Sequence, residues 1–178
     1  MTCLAPIETE RLVLRLVEPN DAPAFTRMIT QDISDRLSVW PFPYTLDLAC
    51  EKISRNRAAA FAGDSLPFVI THRETRDVLG WIALFRHQDN RDRGVLGYWL
   101  GETHQGQGLM REAAAMFVNA GSRWLGLQCI EASCLPDNEA SKATLHGLGF
   151  RFVRECPDWS TSKKTYDHCL FYERETPL

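Results

Sequence analysis

The sequence predicts a mixed α/β (α+β) fold in which helices flank a largely antiparallel central sheet. Strand-like and helix-like stretches follow one another in the order β-α-α-β-β-β-α-β-α-β-β. Residues 66–71 and 78–85 are separated only by a short polar connection, which is typical of an antiparallel hairpin. No internal repeat, linker or low-complexity segment interrupts the 178 residues, so we expect one domain over 1–178.

The N-terminal part of the chain predicts one strand and two helices. Leucines alternate with other residues over 7–16, which favours a strand. The Asn-Asp pair that follows is expected to begin a helix over 20–29. Residues 37–45 contain two prolines and three aromatic side chains, and the prolines exclude a regular helix there. Asp47 is expected to begin a second helix, which ends before Gly63.

The middle of the chain predicts a strand, a turn and a long helix in direct succession. Residues 94–100 form the central strand. A helix follows, because apolar residues then recur on one face with a 3.6-residue period: Leu109, Ala113, Met116, Phe117, Ala120 and Trp124. Between them lies the turn Gln105-Gly106-Gln107-Gly108. Such a turn exposes main-chain N–H groups at the positive end of a helix, where a phosphate can bind.

Two other phosphate-binding motifs fit this turn less well. A dinucleotide-binding fingerprint needs a third glycine, and Arg111 stands in that place. A P-loop needs a Gly-Lys-Ser/Thr string, which the sequence lacks. A two-glycine turn before a helix is also common without a ligand, so the turn alone leaves a purely structural role open.

The C-terminal part predicts three strands around a short helix. Residues 127–134 form a strand, and Pro-Asp-Asn then begins a helix over 136–146. The next strand is expected over 150–154 and the final strand over 166–173. The polar residues 157–165 between them are expected to form a loop.

Composition argues against several classes of protein. The net charge is −3, without runs of like charge, so we expect no nucleic-acid partner. No apolar run approaches the ~20 residues of a membrane span, and the N-terminal residues lack the features of a signal peptide. We therefore predict a cytoplasmic protein with no membrane partner. The cysteines form no C-x-x-C pair, so we expect neither disulfides nor a metal site: Cys3, Cys50, Cys129, Cys134, Cys156 and Cys169.

A set of short motifs, each weak alone, spans nearly all of the chain. They are Thr9-Glu10-Arg11-Leu12-Val13-Leu14-Arg15, Trp40-Pro41-Phe42-Pro43-Tyr44, Gly97-Tyr98-Trp99-Leu100, Gln105-Gly106-Gln107-Gly108-Leu109-Met110, Glu112-Ala113, Asn138-Glu139-Ala140-Ser141 and Leu148-Gly149-Phe150. In this order and spacing they resemble the GNAT superfamily of acetyl-CoA-dependent N-acetyltransferases, especially its RimJ/RimL-like branch. The glycine-rich motif corresponds to the family's pyrophosphate signature.

The resemblance implies a GNAT-like sheet that is splayed at its central strand. It also implies transfer of an acetyl group from acetyl-CoA to a primary amine, directly and in a ternary complex. The amides of the turn would hold the pyrophosphate, and the main chain near the end of the central strand would pair with the pantetheine. The implied cofactor-binding residues are Leu100, Gly101, Gln105, Gly106, Gln107, Gly108, Leu109, Met110, Arg111, Asn138 and Ser141.

Two catalytic side chains that many members of this family use are absent. Val95 stands where a glutamate is usual, and Leu145 stands where a tyrosine acid is usual. Ser141 remains as the acid for the leaving thiolate and is the usual residue of the RimJ/RimL-like branch, although it also fits a structural role at a helix start. Glu102 and His104, beside the turn, are the expected bases.

The acceptor is expected to contact the aromatic side chains of Trp40, Phe42 and Tyr44. The alternative is that these side chains only cover the hydrophobic core. An α-amine has a pKa near 7.7–8.0, against ~10.4 for lysine, so it needs less help from a base. We therefore expect the N-terminal α-amine of a protein, of the ribosomal-protein type, or of a peptide. A small-molecule amine and a non-catalytic acetyl-CoA-binding module stay open as alternatives, as do a monomer and a homodimer.

Overall fold

Eight strands and five α-helices occur in residues 4–176, the part of the chain that the structure, a computed structural model, describes. The strands are β1 (Ile7–Glu8), β2 (Leu12–Leu16), β3 (Ser65–His72), β4 (Val78–Arg86), β5 (Arg93–Leu100), β6 (Cys129–Cys134), β7 (Arg151–Ser160) and β8 (Thr165–Glu175). The helices are α1 (Ala22–Met28), α2 (Gln31–Asp35), α3 (Leu46–Phe61), α4 (Leu109–Leu125) and α5 (Glu139–Gly147). Two single 3₁₀ turns, Pro19–Asp21 and Glu102–His104, precede α1 and follow β5.

All eight strands belong to one sheet, in the order β1-β2-β3-β4-β5-β6-β8-β7. Every neighbouring pair is antiparallel except β5 and β6, which run parallel. The long helix α4 connects these two strands, as a parallel crossover requires. The predicted fold class, a mixed and largely antiparallel sheet flanked by helices, is therefore confirmed.

Two apolar layers cover the two faces of the sheet. On one, which we call the α4 face, Phe117 of α4 and Leu145 of α5 pack against strand residues such as Leu96. On the other, the α3 face, Ile53 of α3 and Phe25 of α1 pack against residues that include Trp81 and Trp99. Alternate residues of β5 therefore point to opposite layers, as the pleat of a strand dictates.

Two predicted elements differ from the structure near the N-terminus. The strand expected over 7–16 is two short antiparallel strands, because Thr9 turns the chain: its main-chain N–H donates to the carbonyl of Leu12, and its hydroxyl accepts a hydrogen bond from the N–H of Leu12. Helix α2 was not predicted. It is only five residues long and is capped by Thr30, whose hydroxyl accepts a hydrogen bond from the N–H of Ile33 at 3.3 Å.

The loop expected over 157–165 is wrong. Strand β7 continues to Ser160 and pairs with β8 along its length, so that only residues 161–164 form the turn. Pro157 lies opposite His168 within this pairing. A proline is tolerated there because β7 is the last strand of the sheet, so one of its edges needs no hydrogen-bond donors.

Three further observations concern only residues 4–176. Within this part of the chain, none of the helices combines the length and apolar character needed to cross a membrane. No group of three or more His, Cys, Asp or Glu side chains there is arranged to hold a metal ion. The five cysteines in this part of the chain are free thiols, and Cys3 lies outside it.

Candidate active site

The two flanks of strand β5 differ in how far they are paired. On the β4 side, β5 pairs at seven consecutive positions, from Gly94 to Leu100. On the β6 side it pairs at three, and the last of them joins Val95 to Glu131. We call the β4 side the closed flank and the β6 side, from residue 96 onward, the open flank. In residues 4–176 no other strand pairs with this edge, so the sheet is splayed at its central strand, as the resemblance implied.

The glycine-rich turn lies at the end of the open flank. Gly106 and Gly108 have positive φ angles, +73° and +75°, which are favourable only for glycine. A β-carbon placed on Gly106 would meet nothing within 4 Å, so the main chain there is open to approach. The side chain of Gln105 is turned inward, where its Nε2 donates to the carbonyl of Leu100 at 2.9 Å. Gly101, the last residue before the 3₁₀ turn, is buried.

The main-chain amides of this turn are free to bind an anion. Among the described residues, none supplies a hydrogen-bond acceptor to the N–H groups of Gly106, Gln107 or Gly108. Helix α4 begins at once with Leu109 and Met110, whose side chains are buried in the core while their amides belong to the unpaired first turn. The turn and a 17-residue helix therefore present unpaired donors at a helix N-terminus, which fits a phosphate group.

Arg11 lies beside this turn, although no role for it was predicted from the sequence. Its Nη1 donates to the carbonyl of Gln107 at 3.1 Å, and its Nε donates to Glu112 Oε2 at 2.7 Å. Burial acts to raise the pKa of Glu112, but hydrogen bonds from Thr9 and Arg11 outweigh burial and lower that pKa. A charged carboxylate thus holds a guanidinium next to the exposed amides, with Nη2 3.8 Å from a β-carbon placed on Gly108.

Arg111, by contrast, is directed toward helix α5. Its Nε would lie 3.3 Å from a β-carbon placed on Gly147, at the C-terminal end of that helix. Of the two arginines, Arg11 is therefore the one in contact with the turn. The signal was present in the sequence: the motifs that contain Arg11 and Glu112 were both recognised, but their contact joins positions 101 residues apart and is not visible in either.

The start of helix α5 faces the open flank. Asn138 is the N-cap of this helix, and its Oδ1 accepts a hydrogen bond from the N–H of Ser141 at 3.1 Å. The hydroxyl of Ser141 is 2.9 Å from the hydroxyl of Tyr98 on β5. Burial raises the pKa of Tyr98, so this side chain is a neutral phenol near pH 7. Leu145, where the family more often has a tyrosine, is fully buried in the core.

The two expected bases follow β5 directly. Glu102 is exposed, and one of its carboxylate oxygens accepts a hydrogen bond from the hydroxyl of Thr30, the residue that caps α2. The ring of His104 is half-buried and lies against Gly101, with Cδ2 3.4 Å from a β-carbon placed there. Both side chains are thus at the end of the central strand, close to the turn but outside it.

A further acidic group on the α3 face was missed by the sequence analysis. Glu131 is paired in register with Val95, so their side chains point to the same face, and an ion pair with Arg154 at 2.7 Å holds its carboxylate. Asp158 and Asp167 lie opposite each other on the same face. Burial and the charges of Glu131 and Asp167 raise the pKa of Asp158. The loop wrongly expected over 157–165 concealed this half-buried carboxylate.

The three aromatic residues expected to contact the acceptor have different environments. Trp40 and Tyr44 are buried, with 2% and 4% of their surfaces exposed, whereas Phe42 is 49% exposed. Trp40 packs edge-on against Trp81 and Trp99, with ring centroids 5.2 and 5.1 Å apart. Of the three rings, only that of Phe42 is open to a ligand.

The turn between β7 and β8 is joined to this aromatic segment. The N–H of Ser162 donates to the carbonyl of Ser38 at 2.9 Å, and its hydroxyl donates to the carbonyl of Leu37 at 3.0 Å. The ammonium of Lys163 donates to the carbonyl of Asp35 at 2.9 Å. The α2–α3 loop and the hairpin therefore form one continuous wall beside the α3 face of the splayed sheet.

Comparison with known proteins identifies the same architecture. A family model described as an acetyltransferase (GNAT) domain matches residues 11–151. The chain is 29% identical over 156 residues to p20 of Bacillus licheniformis, which is named an uncharacterized N-acetyltransferase, and the match covers 87% of each chain.

Two solved structures with bound coenzyme A derivatives share the fold. RimL, a ribosomal L7/L12 alpha-N-protein acetyltransferase in complex with coenzyme A, superposes with a TM-score of 0.84 at 19% identity. The match covers 97% of this chain and 98% of RimL. RimJ of Mycobacterium smegmatis, in complex with CoA-disulfide, has a TM-score of 0.78 at 25% identity, covering 92% of this chain and 81% of RimJ.

Proposed function

The chain belongs to the GNAT acetyltransferase family, and we propose that it transfers the acetyl group of acetyl-CoA to the N-terminal α-amine of a protein or peptide. The observation that carries this proposal is the open flank of β5, which has a glycine-rich turn with free amides at one end and a hydrogen-bonded Tyr98 and Ser141 beside it. The acceptor class rests on amine chemistry and on the likeness to RimL, whose name specifies an α-amino substrate.

The turn and the start of α4 would bind the pyrophosphate of acetyl-CoA. The residues fit this group, because the two glycines leave the main chain uncovered and free amides are exposed at the N-terminus of α4. Arg11 would add a positive charge at the same place. Leu100 and Gly101 end the unpaired edge of β5, where an extended chain with amide groups can bind to main chain. Asn138 stands on the other side of the splay, at the start of α5.

Ser141 would protonate the departing thiolate of coenzyme A. It lies at the N-terminus of α5, beside the open flank, and its hydroxyl is already engaged with a second hydroxyl. An acid positioned in this way typically contributes 10²–10⁴-fold to the rate. Holding the amine and the thioester together in one complex would contribute the rest, up to ~7–11 kcal/mol.

The amine would approach from the α3 face, where the acidic side chains lie. Glu102 and His104 at the end of β5, and Asp158 on β7, are the candidates to accept its proton. A carboxylate with a raised pKa is the better base at neutral pH, and burial gives Asp158 that property. An α-amine is partly neutral at pH 7, so modest assistance is sufficient. Phe42, exposed on the wall described above, would contact the first residues of the acceptor.

The release of free coenzyme A thiol from acetyl-CoA tests this function. We expect the fastest release with peptides that have a free N-terminus, and little with the same peptide when its N-terminus is blocked and a lysine is free. Faster release with small amines than with any peptide would show that the acceptor is a small-molecule amine and not a peptide N-terminus. No release with any amine, in protein that binds acetyl-CoA in a calorimetric titration, would indicate a non-catalytic binding module.

A further inference from the structure

The hydroxyl of Tyr98 bridges the gap of the splay. Strands β5 and β6 are no longer paired at this position, yet the side chain of Tyr98 reaches the start of α5 and lies 2.9 Å from the hydroxyl of Ser141. Its ring packs against the core on the α4 face, together with Leu96 and Leu100, so the position of the hydroxyl is fixed by the strand. Two residues 43 positions apart are thus brought into one hydrogen bond.

The direction of this hydrogen bond determines what Ser141 can do. If Ser141 donated to Tyr98, its only proton would be occupied and could not be given to a leaving group. If Tyr98 donates instead, the serine proton is left for an acceptor in the gap or for the thiol of Cys134, which also contacts Ser141. Because burial raises the pKa of Tyr98, the phenol carries its proton throughout the neutral range and is always able to donate.

We propose that Tyr98 is a positioning residue for acetyl transfer, and that it donates to Ser141 so that the serine proton is directed at the departing sulfur. The inference rests on the proposed function of Ser141 as the acid. The C–N bond forms and the C–S bond breaks, and the electron pair of the C–S bond goes to sulfur. The amine nitrogen gives up one proton to its base or to solvent. Sulfur takes the Ser141 proton, Ser141 takes the Tyr98 proton, and the phenolate regains a proton from solvent.

Tyr98 also accounts for the missing tyrosine of the family. The helix position that usually holds a tyrosine acid is Leu145, which is buried and apolar. Here a phenol reaches the start of α5 from β5 instead, one hydrogen bond behind the serine. A serine alone is a poor acid, since its alkoxide is far less stable than a thiolate, and a donor placed behind it stabilises the charge that develops on its oxygen.

The test is a double-mutant cycle on Tyr98 and Ser141, with kcat and acetyl-CoA affinity measured separately. We expect Tyr98→Phe to lower kcat by about tenfold or more while the calorimetric affinity for acetyl-CoA stays within about twofold. In the Ser141→Ala background, the same Tyr98→Phe change is expected to lower kcat by less than about twofold, because its effect runs through the serine.

Tyr172→Phe is the matched control. Tyr172 is another tyrosine of the α4 face, but its hydroxyl makes no hydrogen bond with Ser141, so its removal should leave kcat within about twofold. Three outcomes would overturn the inference. They are an equal loss of kcat from Tyr98→Phe with and without Ser141, an unchanged kcat in Tyr98→Phe, and a loss that affects only the affinity for acetyl-CoA. The cycle uses whichever amine the wild-type protein acetylates, so an error in the acceptor class leaves it valid, whereas a wild-type protein that acetylates no amine overturns both.

Discussion

The closed and open flanks are the two edges of the same strand, β5, but one is fully paired and the other is not. On the closed flank, seven residue pairs with β4 satisfy the main chain, and Trp81 and Trp99 lie side by side beneath Trp40. On the open flank, pairing with β6 stops after Val95, and three polar residues meet beside the gap: Tyr98, Asn138 and Ser141. The difference teaches that one strand serves two purposes, since its paired edge stabilises the sheet and its unpaired edge is available for chemistry.

The pleat of the strands also places the candidate acid and a candidate base on opposite faces of the sheet. Tyr98 points to the α4 face, toward Ser141, whereas Val95 and its partner Glu131 point to the α3 face, where Asp158 lies. Under the proposed function, the acid for the departing thiolate would act from the α4 face and the base for the incoming amine from the α3 face.

The largest expected effect comes from the closed flank. Trp40→Ala removes a fully buried ring that contacts Trp81 and Trp99, and such truncations typically cost 3–5 kcal/mol. We expect the melting temperature to fall by about 10 °C, measured by calorimetry. Trp124→Ala, at a ring that is 39% exposed, is the control and should cost much less. A variant with normal stability but lost acetyl-CoA affinity would contradict the division between the flanks.

A charge placed in the turn should have the next largest effect, now on binding. Gly108→Glu adds a carboxylate beside the free amides, and that carboxylate can neutralise Arg11. We expect acetyl-CoA affinity, measured by calorimetric titration, to fall by about 100-fold. Gly126→Glu is the matched control, because Gly126 also has a positive φ, +62°, but ends the same helix instead of beginning it. If the control loses as much affinity as Gly108→Glu, backbone strain is the cause and the turn is not the site.

A smaller effect is expected at the acceptor wall. Phe42→Ala removes the exposed ring of the α2–α3 loop, so the KM for an N-terminal peptide should rise several-fold while acetyl-CoA affinity and the melting temperature stay unchanged. Phe61→Ala removes another exposed phenylalanine, at the end of α3, and should leave KM unaltered. An unchanged KM in Phe42→Ala steady-state assays would remove this loop from the acceptor site.

The smallest expected effect concerns Asp158 and pH. Because its pKa is raised by burial in the folded state, ionisation of Asp158 costs stability as pH rises above its unfolded value of ~3.9. Asp158→Asn should therefore raise the melting temperature at pH 7 by no more than about 2 °C, with no gain near pH 3. Asp167→Asn, which instead removes an ion pair with Lys163, should not stabilise. If Asp158 is the base, Asp158→Asn should also lower kcat/KM at neutral pH. The decrease of kcat/KM toward acidic pH should then disappear.

The strand, turn and helix around the candidate cofactor site could be predicted because their signals are local. The strand, the turn and helix α4 follow one another within one continuous stretch, where glycine spacing and apolar period specify the geometry directly. The contact of Arg11 with Glu112 and that of Tyr98 with Ser141 join distant positions. Both pairs lie within recognised motifs, but only the sheet order brings them together.

The acceptor side was predicted less well, for two physical reasons. Aromatic and proline residues around Trp40 are equally suited to a binding wall and to a core, and tertiary packing buries Trp40 and Tyr44 while leaving Phe42 exposed. The polar sequence around Pro157 indicates a loop, but an edge strand tolerates both proline and polar side chains. Asp158 was hidden by this ambiguity.

Hydrogen exchange of the backbone amides, with and without acetyl-CoA, tests the central claim most directly. If the open flank binds the cofactor, acetyl-CoA should slow exchange in residues 96–110, which cover the unpaired edge of β5 and the turn, and leave β4 unchanged. Gly108→Glu serves as the control and should show no such protection. Protection that appears in β4 and its hairpin but not in residues 96–110 would contradict the account, because the ligand would then bind the flank that the sheet has already closed.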